Sequence, residues 1–192
     1  MAQVEFIKGI IGTDSIIEDN KPQIVFIGRS NVGKSSVVNM LVGEKIARSS
    51  STPGKTREIN FFLVSKKRYF VDLPGYGYAK ISEKAREKLR KHIVWYLFES
   101  KAPIERVVLI IDAQVGLKPF DEEILEELLE VGTEVTIVAN KSDKLTQKDR
   151  HKIHTHFTQK GLASHVVWLS AKTGKGKNDL WNALDGKNKE LL

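Results

Sequence analysis

The chain has 192 residues, 31 Lys and Arg against 24 Asp and Glu, a formal net charge of +7 and no cysteine. That length suits one domain of about 150 residues with a modest surplus, and the lack of cysteine excludes a disulfide scaffold, a thiolate zinc site and a cysteine nucleophile, with a cytoplasmic setting as the expectation. The basic surplus favours a polyanionic partner, while the longest apolar stretches, Ile93 to Phe98 and Val107 to Ile111, fall far short of the roughly 18 to 20 residues that cross a bilayer. Met1 to Thr13 lacks the basic start and long apolar run of a signal peptide, so no membrane partner is expected.

In chain order, residues 1–22 are read as an N-terminal extension packed on a single domain that runs from 23 to 192. Apolar runs rich in β-branched and aromatic residues predict strands at Gln23 to Ile27, Asn60 to Val64, Arg68 to Val71, Val107 to Ile111, Val135 to Ala139 and Val166 to Leu169. Apolar positions at three-to-four spacing predict helices at Lys34 to Val42, Glu83 to Phe98, Asp121 to Leu129, Thr146 to Gln159 and Lys177 to Leu184. Strands alternating with helices imply an α/β fold, a mostly parallel six-stranded sheet with helices on both faces. Only Ser65 to Lys67 separates the second and third strands, too short a link for a parallel crossover, so that pair is expected to be an antiparallel hairpin. Charge is segregated: residues 1–44 sum to −1, 45–106 to +9, 107–140 to −7 and 141–192 to +6. Glu44 to Glu58 is a long loop rich in Ser, Thr, Pro and Gly, of the kind that carries function in compact domains.

Gly28-Arg29-Ser30-Asn31-Val32-Gly33-Lys34-Ser35 fits the phosphate-binding pattern G-x-x-x-x-G-K-[ST], placed between a strand and a helix as that pattern requires. The glycines let the backbone curl so that N–H groups and the helix N-terminus point at phosphate oxygens; Lys34 adds a positive charge and the Ser35 hydroxyl is a Mg²⁺ ligand. Asp72-Leu73-Pro74-Gly75 ends a strand; its carboxylate suits water-mediated Mg²⁺ contact and the Gly75 N–H a terminal phosphate. Taken alone it also reads as a strand-ending turn. Asn140-Lys141-Ser142-Asp143 follows another strand. A carboxylate at Asp143 matches the N1–H and exocyclic amine of guanine, whereas adenine offers no such donor pair and would leave the acid unpaired. Asn140 ties loops together and contacts the purine, and the Lys141 stem packs over the ring. Ser170-Ala171-Lys172 adds a backbone N–H at Ala171 able to donate to guanine O6.

Four elements in this order, each at a strand's C-terminal end, resemble the P-loop GTPases. Gly28 to Ser36 (GRSNVGKSS), Pro53-Gly54-Lys55-Thr56 with Ile59-Asn60-Phe61-Phe62, and Phe70 to Lys80 (FVDLPGYGYAK) resemble more narrowly the bacterial EngB/YihA-type ribosome-biogenesis GTP-binding proteins, over residues 23 to 185. The resemblance implies a Ras-like fold, GTP and GDP with Mg²⁺ as ligands, GTP hydrolysis, and a role on the precursor of the large ribosomal subunit, through its rRNA and proteins. It implies nucleotide contacts along the whole run to Ser36, a metal set of Ser35, Thr56 and Asp72, and Lys34, Thr56 and Gly75 as catalytic residues; Thr52 is a nearby alternative to Thr56. A monomer is expected.

Ras-type proteins carry a water-orienting glutamine after the glycine of D-x-x-G, where this chain has Tyr76. Slow intrinsic hydrolysis follows unless a partner or a monovalent cation intervenes. Asn31 resembles the asparagine of potassium-stimulated GTPases, which places a possible K⁺ beside it; the alternative is that it only satisfies the loop backbone. His151, His154 and His156 do not share one helix face and read as solvated. Lys84, Lys88 and Lys91 form one stripe opposite Leu89, Ile93 and Tyr96, either a solvated face or a surface for phosphate backbone. An ATPase or kinase is disfavoured by the guanine motif. The competing reading is a nucleotide-independent RNA-binding module with incidental GTPase activity.

Overall fold

Seven strands form one sheet in the order β1-β3-β4-β2-β5-β6-β7 in a computed structural model that describes residues 3–47, 58–78 and 81–186. The strands are β1 (Val4–Ile10), β2 (Gln23–Gly28), β3 (Ile59–Val64), β4 (Arg68–Asp72), β5 (Ile104–Asp112), β6 (Val135–Asn140) and β7 (Val166–Trp168). From β4 across to β7 all neighbours are parallel, whereas β3 runs antiparallel to both β4 and β1. The β3–β4 link is the expected hairpin, with Ser65 and Lys66 both at positive φ, as tight strand connections demand.

The expected count of six strands is corrected to seven. Val4–Ile10 pairs with the outer edge of β3, with a bulge between Phe6 and Lys8. Only Ile10 of it is buried, and its residues show no in-and-out alternation to betray a strand; the open ladder of β3 recruits them, with Phe6 seated 5.5 Å from Phe62 between ring centroids. After it, a 3₁₀ turn (Ser15–Glu18) capped by the Asp14 side chain buries Ile16 and Ile17.

Helices α1 (Lys34–Val42) and α5 (Lys177–Leu184) cover one face; α2 (Glu83–Val94), α3 (Pro119–Glu130) and α4 (Gln147–Gln159) cover the other. Burial of β2 and β6 on both sides explains why these strands are continuous apolar runs. Helix α2 ends as an α-helix at Val94, earlier than its apolar spacing predicts, and continues as a π-helical turn, Trp95–Glu99. That turn points the buried Tyr96 at the sheet, where its hydroxyl donates to Gln23 Oε1 at 2.5 Å and fixes the helix end to the start of β2.

Candidate nucleotide site

The chain winds from β2 to β3 and β4 on one side, then to β5 on the other. A reversal of this kind opens a crevice at the carboxyl ends of parallel strands, and the sequence motifs lie there. The loop after β2 is shaped by two glycines. A Cβ at Gly28 would stand 2.5 Å from the Ile110 carbonyl, and Gly33 adopts φ +93° where a Cβ would also collide with the Asn140 side chain. Helix α1 starts at Lys34, directly after Gly33, so its N-terminal end faces the loop. Ser35 and the exposed Ser36 occupy its first turn.

Register places Asp72 beside Phe26, two residues before Gly28. Its carboxylate accepts from the Lys34 ammonium, with both side chains buried. Backbone bonds lace the next residues to the same loop: Ser30 N–H donates to the Tyr76 carbonyl at 2.7 Å and Tyr76 N–H to the Gly28 carbonyl at 3.4 Å. The Ser30 hydroxyl donates to the Gly75 carbonyl at 3.3 Å. A Cβ at Gly75 would press on Ser30 at 3.3 to 3.4 Å, which explains a glycine there.

Asn140, at the end of β6 and buried, joins three segments. Its Nδ2 donates to the Val32 carbonyl at 2.8 Å, and its Oδ1 accepts from the Ala171 N–H at 3.0 Å. The Ala171 donor assigned to guanine O6 from sequence is therefore engaged within the protein, and a base would have to share it. Lys141, at φ +64°, reaches back so that its Nζ donates to the Asn31 carbonyl at 2.7 Å and to Asp112 at 2.8 Å. Asp112 was missed by sequence reading; its only signal is an acidic residue ending β5 opposite Asn140. The buried Ser170 hydroxyl donates to Asp143 at 2.6 Å, and that bond holds the Asp143 carboxyl below its ordinary value, with the nearby Lys172 and Lys144 charges adding to the effect. Asp143 is exposed and ionised, an acceptor facing solvent.

Tyr76 turns away from this crevice. It is 2% exposed, packs edge-on against Phe120 at 4.9 Å and donates to the buried Asp121 at 2.5 Å. Burial drives the phenol well above its usual pKa and raises that of Asp121. The side chain of Asn31 is exposed at φ +71°, and the loop contact it makes runs through its carbonyl. Thr56 and Thr52 lie outside the described residues. Of the other residues proposed from sequence for the nucleotide site, Gly28 to Ser36, Asp72, Gly75, Asn140, Lys141, Asp143 and Ser170 to Lys172 all fall on the strand ends, the loops after them and the first turn of α1 at this one edge of the sheet.

The family model described as 50S ribosome-binding GTPase matches residues 23–141, and that for the elongation factor Tu GTP binding domain matches residues 98–189. The probable GTP-binding protein EngB of Aquifex aeolicus (strain VF5) is 46% identical over 159 residues, covering 83% of this chain and 87% of its own. The protein of the same name from Chlorobaculum parvum is 40% identical over 187 residues, 96% and 97% of the two chains. Among solved structures, a probable GTP-binding protein EngB superposes with a TM-score of 0.72 at 24% identity, over 88% of this chain and 99% of that one. Era in complex with MgGDPNP and a segment of 16S ribosomal RNA superposes with a TM-score of 0.65 at 25% identity, over 85% and 56%. On this fold, these motifs and these relatives, the chain belongs to the EngB family of P-loop GTPases, proteins that bind and hydrolyse GTP.

Proposed function

We propose that the chain is a GTP-driven switch that assists assembly of the large ribosomal subunit in the cytoplasm, acting as a monomer and hydrolysing GTP slowly on its own. The observation that carries the nucleotide half is the Asn140 hub: one side chain holds the phosphate loop, the guanine loop and the Ala171 loop together, which makes a preformed cradle. In it, the loop around Gly33, the N-terminal end of α1 and the Lys34 ammonium face the phosphates, while the Ser30 and Val32 N–H groups are held within the protein by the Tyr76 and Arg29 carbonyls. Asp143 accepts from guanine N1–H and the exocyclic amine, and Asn140 with the Lys141 stem bounds the purine.

The donor chemistry fits Mg²⁺. The Ser35 hydroxyl and the Asp72 carboxylate are hard oxygen ligands, and Lys34 already neutralises Asp72 in the buried crevice, so a cation there replaces a charge partner the site requires. Bound Mg²⁺ supplies charge stabilisation at the phosphates. Thr56 is assigned as its further ligand and, with Lys34 and Gly75, as part of the hydrolytic set on the family pattern. Slow hydrolysis is supported by the burial of Tyr76, which leaves no side chain at that position to orient water. K⁺ beside Asn31 is a rescue consistent with the exposure of that side chain.

The ribosomal half is supported by the family description and by the +7 charge, which favours a polyanionic particle. Sedimentation of cell extract with GDP or a non-hydrolysable GTP analogue tests it. Cosedimentation with large-subunit precursors in the analogue alone is expected; nucleotide-independent association would favour an RNA-binding module, and no association would refute the reading.

A further inference from the structure

Beside the nucleotide crevice, on the opposite side of Tyr76, lies a second cavity of about 360 Å³. Its walls carry four cationic side chains from three elements: Arg29 of the phosphate loop, Arg86 and Arg90 of α2, and Lys118 just before α3. Phe120 and Tyr76 form its apolar floor. Among the described residues none of the four is in an ion pair. Of the acids close by in the chain, Glu87 pairs with Lys91 and Glu122 with Lys160, while the buried Asp121 accepts from Tyr76 and from the Lys118 N–H at 2.8 Å and feels the Arg29 charge. Four like charges converging on one concavity repel one another, an arrangement that makes sense when an anion enters it.

We propose that this cavity binds a phosphate of a single-stranded RNA segment, with Arg86 and Arg90 as its principal contacts and Arg29 linking its occupancy to the guanine nucleotide. The RNA is that of the ribosomal particle, so the proposal rests on the function stated above and adds the surface that meets it. Guanidinium forks match phosphate and carboxylate oxygens alike; one feature favours RNA over an acidic peptide. The Arg90 guanidinium lies over the Phe120 ring at 4.5 Å, and its outer face is a platform on which an unpaired base stacks, which a carboxylate does not need.

The link to GTP is structural. Arg29 sits between Gly28 and Ser30 in the phosphate loop, its backbone bridges to Tyr76, and its guanidinium packs against Gly77. An occupant that draws on Arg29 therefore moves, or is moved by, the loop that holds the nucleotide. Coupling of this kind is reciprocal: whatever factor GTP applies to RNA affinity, RNA applies to GTP affinity.

The α2 stripe singled out from sequence lies on the wrong side for this role. Lys84, Lys88 and Lys91 are exposed, and Lys91 is paired with Glu87 at 2.9 Å. The test sets one side of the helix against the other in the full chain. A short fluorescent single-stranded RNA of mixed sequence is titrated at several KCl concentrations against wild type, Arg86→Glu/Arg90→Glu and Lys84→Glu/Lys88→Glu, each loaded with GDP or a GTP analogue. The arginine pair is expected to lose about tenfold or more in RNA affinity and to flatten the slope of log affinity against log salt by about 1, with GTP affinity unchanged. The lysine pair, with the same change in charge, loses a smaller factor. Equal losses in both pairs, or undiminished binding by the arginine pair, overturn the proposal. So does an oligo-glutamate peptide that binds wild type as tightly as the RNA and loses affinity in the same variant. Sedimentation with particles separates the two readings: if wild type fails to sediment, the ribosomal reading falls while the RNA titration still decides the cavity. Particle binding that survives Arg86→Glu/Arg90→Glu retains the ribosomal reading and removes the cavity from it.

Discussion

At the scale of single residues, two side chains carry the proposals for what the site selects and how fast it turns over. Asp143 is exposed and held ionised chiefly by the Ser170 hydroxyl, so it accepts and never donates at neutral pH. Asp143→Asn places an amide donor where xanthine carries a carbonyl at C2. It is expected to lower GTP affinity by two or more powers of ten, about 3 kcal/mol or more, and to shift preference to XTP, as competition binding among GTP, XTP and ATP will read. An unchanged GTP preference would remove Asp143 from the guanine site. Tyr76 occupies the position of the Ras glutamine in sequence but belongs to the core in space. Tyr76→Gln is therefore expected to leave single-turnover hydrolysis no faster. It removes a buried ring packed on Phe120 and leaves Asp121 one donor short, a loss of about 3 kcal/mol in stability, visible as a fall in Tm. Faster hydrolysis in that variant would mean that residue 76 can swing into the crevice.

Among the elements, β1 and α2 meet through one titratable contact. The loop after β1 donates from the Gly12 N–H to His92 Nε2 at 3.5 Å, and His92 stacks on Trp95. Burial first, and the Lys88 charge second, lower the pKa of His92 from 6.5. The unfolded chain therefore takes up a proton at a higher pH than the folded one. This contact's stability is fully present above pH 6.5 and is lost as the pH falls from there toward the lowered folded value. Thermal unfolding followed from pH 5 to 8 is expected to show Tm rising through this window. His92→Gln, which keeps a polar group without a titrating ring, should flatten that rise, and a wild-type slope retained in the variant would assign the effect to other groups. The π-helical turn beyond α2 carries Tyr96, whose hydroxyl reaches Gln23 and ties the helix end to the sheet.

For the molecule as a whole, catalysis is the property left most open to outside help. With no glutamine after Gly75 and with Tyr76 buried, turnover of the free chain is expected at or below the order of 10⁻³ per second, near unassisted Ras. K⁺ at Asn31 or a group inserted by the particle would offset charge developing between the β- and γ-phosphates. Single-turnover hydrolysis in KCl and NaCl, with and without large-subunit particles, separates them. Stimulation by K⁺ that vanishes in Asn31→Ala supports the cation, and stimulation only with particles supports the partner. Fast turnover in NaCl alone would require a catalytic group elsewhere in the fold.

The sequence by itself determined the glycine-shaped loop after β2, the D-x-x-G turn, the run Asn140 to Asp143 proposed to read guanine, and the strands that carry them. Each of these rests on local chemistry: glycines that permit a backbone shape, an acid that matches a donor pair, and apolar runs long enough to be buried on both faces. It determined as well that Ser65 to Lys67 closes a hairpin, because link length is a local constraint. Tertiary structure decided the rest. β1 exists because the edge of β3 offers hydrogen bonds to a segment with no pattern of its own, and Asp112 enters the site because β5 and β6 align it with Asn140. Tyr76 belongs to the core because α3 brings Phe120 and Asp121 to it from 44 and 45 residues away. The basic side of α2 that matters is set in the same way. Helical periodicity groups Lys84, Lys88 and Lys91, but only the packing of α2 beside α3 and the phosphate loop gathers Arg86 and Arg90 with Arg29 and Lys118 around one cavity. Charges that converge from distant parts of a chain leave no spacing in its sequence.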